Sequence, residues 1–222
     1  MKCLIVEDDA TLRGQIVQAF TDAGFVADSA ADGREGEYLG ATETYDVAIL
    51  DLGLPRMDGI EVLTRWRAQG LTLPVLILTA RGEWADKVRG FRAGADDYVL
   101  KPFRMEEVVM RAQTLLRRAA GHASNIVAAG ALKLDNHTGL ITLEEMPLRL
   151  TPFETRLLRY LILHGGRVVS RTELSEHMYD AAADRDFKSL EVVIGRLRRK
   201  IGAGRLETLR GEGYRLLSTE PA

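Results

Sequence analysis

The chain has 222 residues, of which 46% are apolar and 28% charged, and its 30 basic and 32 acidic side chains give a net charge of −2. This composition excludes a long disordered chain, and the length favours two modest domains over one. The apolar runs are much shorter than the roughly 20 residues of a membrane-spanning helix, and no signal-peptide pattern precedes Glu7, so we expect no membrane partner and a cytoplasmic protein.

Short apolar segments alternate with helical patterns over the first 120 residues. Five of them predict β-strands, at residues 3–6, 26–30, 47–50, 75–78 and 98–100. Strands separated by helices pair in parallel, and right-handed connections place the helices on both faces of the sheet. We therefore predict an α/β domain with a five-stranded, doubly wound parallel sheet, whose functional side chains lie at the carboxyl ends of the strands.

A small, polar stretch at residues 117–124 predicts the end of a long helix and the start of a linker. We assign residues 1–118 to the first domain, 119–125 to the linker and 126–222 to a second domain of α+β type. The elements predicted there are helices near residues 152–163, 171–179 and 186–201 and a closing hairpin with strands at 206–209 and 214–217.

The two halves differ in charge. Residues 1–120 carry 15 basic and 19 acidic side chains, whereas the remainder carries 15 basic and 13 acidic ones. Residues 186–215 alone carry 8 basic and 4 acidic side chains. Such a local excess suits a nucleic-acid-binding surface but is by itself a weak signal.

Six side chains that can carry chemistry stand directly behind predicted strands of the first domain. They are Glu7, Asp8, Asp9, Asp51, Thr79 and Lys101. The carboxyl ends of parallel strands share one edge of the sheet, so we expect these groups to form one pocket. Each has an ordinary alternative when taken singly: Asp8 or Asp9 can cap the helix that starts at Ala10, Thr79 can be a cap, and Lys101 can be a solvated charge.

Several carboxylates in one cleft repel each other unless a cation lies between them, and Mg²⁺ prefers one or two carboxylates together with water and phosphate oxygens. The pocket thus implies Mg²⁺ as the cofactor. A carboxylate can also attack phosphorus to give an acyl phosphate, and Asp51 is the candidate nucleophile. Lys101 and Thr79 can then donate to phosphoryl oxygens.

The first half resembles the receiver domain of two-component response regulators, which is flavodoxin-like. The resemblance spans nearly all of residues 1–120. It rests on Leu4-Ile5-Val6-Glu7-Asp8-Asp9, on Asp51 followed by Leu54-Pro55-Arg56-Met57-Asp58-Gly59, on Thr79-Ala80, on Gly94-Ala95-Asp96-Asp97-Tyr98, and on Lys101-Pro102-Phe103.

This resemblance implies a sensor histidine kinase as the partner that phosphorylates Asp51. It also implies that Mg²⁺ is held by Asp8, Asp51, the backbone carbonyl of Gly53 and, through water, Glu7. Thr79 and Lys101 would hold the phosphoryl group, and Tyr98 would be an aromatic switch that turns inward as Thr79 moves. The peptide bond between Lys101 and Pro102 is typically cis in the family.

Residues 126–219 resemble the winged-helix, DNA-binding domain of the OmpR/PhoB-type subfamily. The matching stretches are Leu150-Thr151-Pro152-Phe153-Glu154, Gly166-Arg167-Val168-Val169-Ser170-Arg171, Arg196-Leu197-Arg198-Arg199-Lys200-Ile201 and Thr208-Leu209-Arg210-Gly211-Glu212-Gly213-Tyr214. The chain departs from the family pattern in two places. Phe187-Lys188 replaces a common Ser-Asn pair, and Gly195 replaces a larger, often basic residue, so the DNA sequence that is read is the property most affected.

The third predicted helix of this domain has two distinct faces. Its core stripe consists of Leu190, Ile194, Leu197 and Ile201. The opposite face and its flanks carry Lys188, Val192, Gly195, Arg196, Arg198, Arg199 and Lys200. We expect this face to enter the major groove of double-stranded promoter DNA, with Arg196 reading a base and Val192 touching a thymine methyl group. Gly195 costs on the order of 1 kcal/mol in a helix, which suggests a close approach of the helix to DNA.

In the hairpin, Arg210 would enter a minor groove and Thr208 would position a phosphate. The alternative is that the basic face is simply solvated. The family also points to a homodimer that forms on phosphorylation through a charged receiver surface, and to RNA polymerase as a partner. The expected pairs, between subunits or within one chain, are Lys87 with Glu107, Asp97 with Arg111, and Asp96 with Arg118. Glu107 and Arg111 are also i, i+4 neighbours that could merely stabilise their helix.

Two other functions are compatible with parts of the sequence. An aspartate-nucleophile phosphohydrolase usually has a second aspartate two residues after the nucleophile, where this chain has Gly53, so we expect no enzyme. A constitutive DNA-binding regulator would use the first domain only to dimerise, and the complete acidic pocket argues against it. The sequence therefore predicts a transcriptional regulator that is activated by phosphorylation at Asp51.

Overall fold

A computed structural model describes residues 1–80, 84–179 and 187–218, without the side chains of residues 187–189. The chain divides into two compact units, Met1–Ala119 and Ala120–Ala222. In the described part of the chain, the structure contains no helix of the length and apolarity that crossing a membrane requires.

The first unit alternates strands and helices. Its strands are β1 (Lys2–Val6), β2 (Val26–Ala30), β3 (Val47–Leu50), β4 (Val75–Thr79) and β5 (Asp97–Leu100). Its helices are α1 (Ala10–Asp22), α2 (Gly33–Thr42), α3 (Gly59–Ala68), α4 (Trp84–Arg92) and α5 (Met105–Ala119). All strand pairs are parallel, in the order β2-β1-β3-β4-β5. The predicted doubly wound sheet is confirmed.

Burial explains why the strands were visible in the sequence. Every residue of β1, β3 and β4 is buried, as expected for central parallel strands that are covered by helices on both faces. Trp66 is fully buried beneath the sheet. It packs on Gly40, where an added Cβ would lie 2.4 Å from the indole ring, so α2 and α3 meet closely at this glycine.

Aspartates cap the N-termini of α1, α2 and α3. The Asp9 carboxylate accepts from the amides of Thr11 and Leu12 at 2.8 and 2.9 Å, and Asp32 and Asp58 cap α2 and α3 in the same way. Of the two predicted alternatives for the start of α1, the cap at Asp9 is confirmed. This fixes the direction in which the chain leaves the end of β1.

The described residues of the second unit form two antiparallel sheets and three helices. The strands are β6 (Ile126–Ala129), β7 (Leu132–Asp135), β8 (Ile141–Leu143), β9 (Met146–Pro147), β10 (Val168–Val169), β11 (Leu206–Leu209) and β12 (Gly213–Leu216). The helices are α6 (Pro152–Leu163), α7 (Arg171–Met178) and α8 (Phe187–Ile201), followed by a short 3-10 turn at Ala203–Arg205. The sheets have the orders β6-β7-β8-β9 and β10-β12-β11.

The predicted helices and the closing hairpin are present, and the core stripe of α8 is confirmed. Leu190, Ile194, Leu197 and Ile201 are all at least 98% buried. The two-residue strand β10 was not predicted. It pairs with β12 through Val168↔Arg215 and Val169↔Tyr214 and makes the hairpin part of a three-stranded sheet. The predicted start of α8 at Asp186 lies outside the described residues.

Candidate functional site

Three carboxylates meet at the carboxyl edge of the parallel sheet. Glu7 follows β1, Asp51 follows β3, and Asp8 stands beside Glu7. One oxygen from each lies within 4.8 Å of the others. Glu7 and Asp51 are 1% and 7% exposed, whereas Asp8 is exposed, so the cluster is a buried acidic floor with one carboxylate at the solvent edge.

Both oxygens of Asp51 are occupied by hydrogen bonds. Its Oδ1 accepts from the backbone amides of Leu52 at 2.6 Å and Gly53 at 3.1 Å. Its Oδ2 accepts from Lys101 Nζ at 2.6 Å, and the same ammonium donates to Glu7 Oε2 at 2.7 Å. The peptide bond from Lys101 to Pro102 is cis. The carboxylate of Asp51 is therefore fixed in orientation from two sides.

This pocket contains more acidic than basic groups. Burial, together with the nearby charge of Asp51, raises the pKa of Glu7 above its ordinary value even though Lys101 donates to it. Burial opposes the charge of Lys101, but its hydrogen bonds to Asp51 and Glu7 outweigh burial and raise its pKa. One ammonium thus faces three carboxylates, and a cation that prefers oxygen ligands would offset the remaining charge. The donor set fits Mg²⁺, which takes carboxylate, carbonyl and water oxygens.

Arg13 supports the acidic loop, and the sequence analysis did not identify it. Its Nη1 donates to the backbone carbonyls of Glu7 at 2.7 Å and Asp8 at 3.2 Å. A basic side chain one turn into the helix that follows Glu7-Asp8-Asp9 was the available signal. The guanidinium holds the loop from the backbone side and leaves the carboxylates to the pocket.

The other predicted residues of the first unit lie on β4 and β5 and on the helices beside them. Thr79 ends β4 and is 1% exposed. Tyr98 on β5 pairs with Ile77 and is half-buried. Its ring centroid lies 6.4 Å from that of Phe91 and 6.0 Å from Lys87 Nζ. The switch candidate thus lies two strands from Asp51, with β4 between them, on the α4 side of the sheet edge.

The charged residues predicted for a dimer surface make contacts within the chain. Arg111 binds Asp97 Oδ2 at 2.8 Å and Glu107 Oε1 at 2.9 Å. Asp96 accepts from the Val75 amide at 2.8 Å and pairs with Arg67 at 3.2 Å. Arg118 is exposed near the end of α5. Asp97 and Arg111 are therefore joined in one chain, whereas Asp96 is engaged by β4 and α3.

The second unit presents an exposed face on α8. Val192 is 54% exposed, and Arg196 and Arg199 are also exposed. Glu191 on the same face pairs with Arg171 at 2.9 Å. Arg210 is exposed in the hairpin that joins β11 and β12. The side chain of Lys188 lies outside the described residues.

Three further residues predicted to contact DNA are already bonded within the unit. Arg198 donates from Nε to the Leu206 carbonyl at 2.9 Å and from Nη2 to Thr208 Oγ1 at 2.6 Å. Lys200 Nζ binds Glu154 Oε2 at 2.6 Å and the Arg149 carbonyl at 2.9 Å. Arg198 thereby joins α8 to the hairpin, and Lys200 joins it to the start of α6.

Comparisons with known proteins cover both units. Residues 3–113 match the family model of the response regulator receiver domain, and residues 145–216 match that described as transcriptional regulatory protein, C terminal. The chain is 44% identical to the two-component response regulator PhoP of Pseudomonas aeruginosa, and this alignment covers 96% of the chain and 97% of the relative. It is 41% identical to the transcriptional regulatory protein PhoP of Escherichia coli K12, over 96% of the chain and 98% of the relative. The solved receiver domain of Francisella response regulator 1452 aligns at 36% identity with a TM-score of 0.52, over 53% of this chain and 98% of that one.

Proposed function

Because this chain belongs to the OmpR/PhoB-type response regulators, which are phosphorylation-dependent transcriptional regulators, we propose that Asp51 is its phosphoacceptor. The observation that supports this assignment is the hydrogen bonding of Asp51. Its Oδ2 accepts a hydrogen bond from the ammonium of Lys101, and its Oδ1 accepts from two backbone amides. Glu7 shares the same ammonium. Because these hydrogen bonds fix the orientation of the Asp51 carboxylate, it needs no change of rotamer before it attacks phosphorus.

In the proposed reaction, a carboxylate oxygen of Asp51 forms a bond to the phosphorus of a phosphohistidine on a sensor kinase. The phosphorus–nitrogen bond breaks, and its electrons return to the histidine ring. Lys101 then donates a hydrogen bond to one oxygen of the transferred phosphoryl group, and the Thr79 hydroxyl donates to another. These two groups hold a phosphoryl group at the edge where β4 and β5 end.

Mg²⁺ would be held by Asp8, Asp51 and the carbonyl of Gly53, with Glu7 contributing through water. When bound, the ion neutralises charge that develops on the phosphoryl oxygens. Arg13 supports this ligand set, since it fixes the backbone of Glu7 and Asp8. Lys101, which divides its hydrogen bonds between Glu7 and Asp51, offsets the repulsion of the acids before the ion binds.

Activation would pass from Thr79 to Tyr98 and then to the surface formed by α4, β5 and α5. Phosphorylation adds charge and acceptor oxygens, so it draws the hydroxyl of Thr79 and favours an inward Tyr98 ring. The resulting homodimer would use Lys87, Asp96, Asp97, Glu107, Arg111 and Arg118. Two second domains, residues 126–222, would follow the receivers through the linker at 119–125 and meet half-sites about one helical turn apart.

The proposed DNA-binding element is the exposed face of α8. Val192 and Arg196 would read bases in the major groove, Lys188 and Arg199 would contact phosphates that border it, and Arg210 would enter a minor groove. Arg198 and Lys200 each have N–H groups that no described residue accepts from and that can reach phosphates, while Thr208 keeps its position beside Arg198. RNA polymerase in the cytoplasm would be the further partner.

The test uses the full chain and a small phosphoryl donor, phosphoramidate. With Mg²⁺ present, we expect the intact mass to increase by one phosphoryl group, the adduct to be lost in hydroxylamine, and light scattering to report a dimer. The phosphorylated chain should protect a promoter fragment at lower concentration than the unphosphorylated chain. A mass increase that is independent of Mg²⁺, or an adduct that resists hydroxylamine, would contradict an acyl phosphate in this pocket.

A further inference from the structure

The glycines within helices fall into two groups. At Gly33, Gly36, Gly40, Gly59 and Gly90 an added Cβ would lie 1.9 to 3.0 Å from a neighbouring atom, so close packing accounts for these five. At Gly14 and Gly195 an added Cβ meets no atom of the described residues within 4 Å. Neither has a positive φ, so their backbone does not require glycine. Because glycine weakens a helix interior relative to alanine, the fold itself gives no reason for Gly195.

The surroundings of Gly195 differ from those of Gly14. On a helix, the neighbours of position 195 lie three and four residues away, at Glu191, Val192, Arg198 and Arg199. Glu191 is turned to Arg171, and Arg198 is turned to the hairpin. The side chains of Glu191 and Arg198 are therefore held away from position 195. The result is a notch in the face of α8, with bare helix backbone at position 195 as its floor.

The notch has an apolar wall and basic surroundings. Val192, 54% exposed, stands one turn before Gly195, and Arg196 and Arg199 are exposed on the same side of the helix. The backbone donors and acceptors at the floor are used within the helix, so a polar base edge placed there would lose its hydrogen bonds. The major groove displays one apolar projection, the C5 methyl group of thymine.

We propose that Gly195 is a specificity-determining residue, and that the notch between Val192 and Arg199 receives the methyl group of one thymine in the operator. This inference rests on the proposed function, since it requires α8 in the major groove. The receiving surface is the Val192 side chain together with the Cα of Gly195. Any side chain at position 195 would occupy the space that the methyl group needs.

The test removes one methyl group from the DNA and, separately, adds one to the protein at position 195. Duplexes are first selected from random sequence on the phosphorylated full-length chain, and each thymine of the selected site is then replaced singly by deoxyuridine, which removes only the methyl group. For the wild-type chain we expect one position at which this replacement weakens binding about fourfold, the value for one buried methyl group. Gly195→Ala should bind the thymine duplex roughly tenfold more weakly than wild type, because the notch is overfilled. At that same position it should bind deoxyuridine more tightly than thymine.

Gly14→Ala is the matched control, because it also fills open space on a helix, in the other unit. Both variants should raise the thermal midpoint of their own unit, by roughly 4 °C. Gly14→Ala should leave the affinity for both duplexes unchanged, with all proteins phosphorylated to the same extent by mass. An affinity loss in Gly195→Ala is then not a consequence of altered stability.

Two results would overturn the inference alone. One is wild-type affinity of Gly195→Ala for the thymine duplex, and the other is an equal loss on thymine and deoxyuridine duplexes at every position, which would indicate close approach to the DNA backbone instead. Failure of the phosphorylated wild-type chain to select any sequence would overturn the proposed function, and the inference with it. The wild-type arm therefore separates the two failures.

Discussion

Lys101 Nζ lies 2.6 Å from Asp51 Oδ2, and this ion pair joins the ends of two strands that are not neighbours in the sheet. Lys101 follows β5 and Asp51 follows β3, with β4 between them. The same ammonium binds Glu7 after β1. One cation thus spans the carboxyl edge of the sheet and offsets the charge of two buried acids. A third acid, Asp8, lies beside them, and this excess of carboxylates supports the proposed Mg²⁺ site.

Replacing Lys101 should separate phosphoryl transfer from metal binding. In Lys101→Ala, phosphorylation by phosphoramidate should slow by about a hundredfold, the usual loss for one preorganised charged donor. The affinity for Mg²⁺ should not fall, because the ammonium competes with the ion for Glu7 and Asp51. Mass spectrometry over time measures the first quantity and calorimetric titration the second. Lys87→Ala, which removes a lysine that lies 6.0 Å from the Tyr98 ring, should leave both unchanged; weaker Mg²⁺ binding in Lys101→Ala would count against this role.

Arg13 should support the metal site through its hydrogen bonds to the backbone of Glu7 and Asp8. Arg13→Ala removes the donor to the carbonyls of Glu7 and Asp8 and frees the loop, so we expect the affinity for Mg²⁺ to fall by about tenfold, as for other groups that orient metal ligands. The thermal midpoint should change little, since Arg13 is half-buried. Titration calorimetry with Arg34→Ala, an exposed arginine on α2, provides the control. Unchanged Mg²⁺ affinity in Arg13→Ala would remove Arg13 from the site.

Two adjacent arginines of α8 should have different roles. Arg198 bonds to Leu206 and Thr208, whereas Arg199 is exposed. Arg198→Ala should lower the thermal midpoint of the second unit by roughly 4 °C, because α8 loses its connection to the hairpin. Arg199→Ala should leave the midpoint unchanged and lower the slope of log affinity against log salt by about 0.9, the value for one phosphate contact. Equal thermal midpoints for the two variants would contradict a structural role for Arg198.

Stability of the second unit should depend on the charge of Glu154. Burial opposes this charge, but the hydrogen bonds from Lys200 Nζ and the Thr151 amide outweigh burial and lower the pKa of Glu154. A pKa that is lower in the folded state contributes stability above the unfolded value of about 4.3, and the contribution is lost as pH falls through the folded value. Glu154→Gln should reduce the free energy of unfolding by about 2 kcal/mol at neutral pH.

The pH profile distinguishes this effect from a general loss of packing. The difference between wild type and Glu154→Gln, measured by denaturant unfolding, should begin to shrink as pH falls below about 4.3 and should disappear below the folded pKa of Glu154, where the wild-type carboxylate is protonated as well. Glu212→Gln, at an exposed turn of the same unit, should match wild type throughout. A difference that stays constant down to acid pH would show that the charge of Glu154 is not its cause.

The residues of the acidic pocket were predictable because each stands at the end of an apolar strand, and parallel strands end at one edge. The strands β1, β3 and β4 are buried along their whole length, so their apolar runs were unambiguous in the sequence. By contrast, β10 has only two residues and exists because β12 pairs with it. A strand of that length carries no pattern of its own.

Apart from Asp97 with Arg111, which the family resemblance indicated, the pairings between distant side chains were not predictable. Asp96 pairs with Arg67 because α3 passes beside the turn before β5, and Lys200 meets Glu154 because α8 packs on the start of α6. Charge and spacing within one helix indicated the Glu107–Arg111 pair, but these other contacts depend on which helices become neighbours. For Arg13 the sequence offered a basic side chain one turn into α1 but not its partners, which are backbone carbonyls that any sequence supplies.

The central claim is that phosphorylation of Asp51 controls DNA binding. Its most direct test compares Asp51→Asn with Asp9→Asn after incubation with phosphoramidate and Mg²⁺, using intact mass and affinity for a selected duplex. Asn caps a helix as well as Asp, so Asp9→Asn should keep α1 and respond like wild type, with a phosphoryl adduct and tighter binding. Asp51→Asn should show neither the adduct nor any donor-dependent gain in affinity. A phosphoryl adduct together with tighter DNA binding in Asp51→Asn would contradict the account.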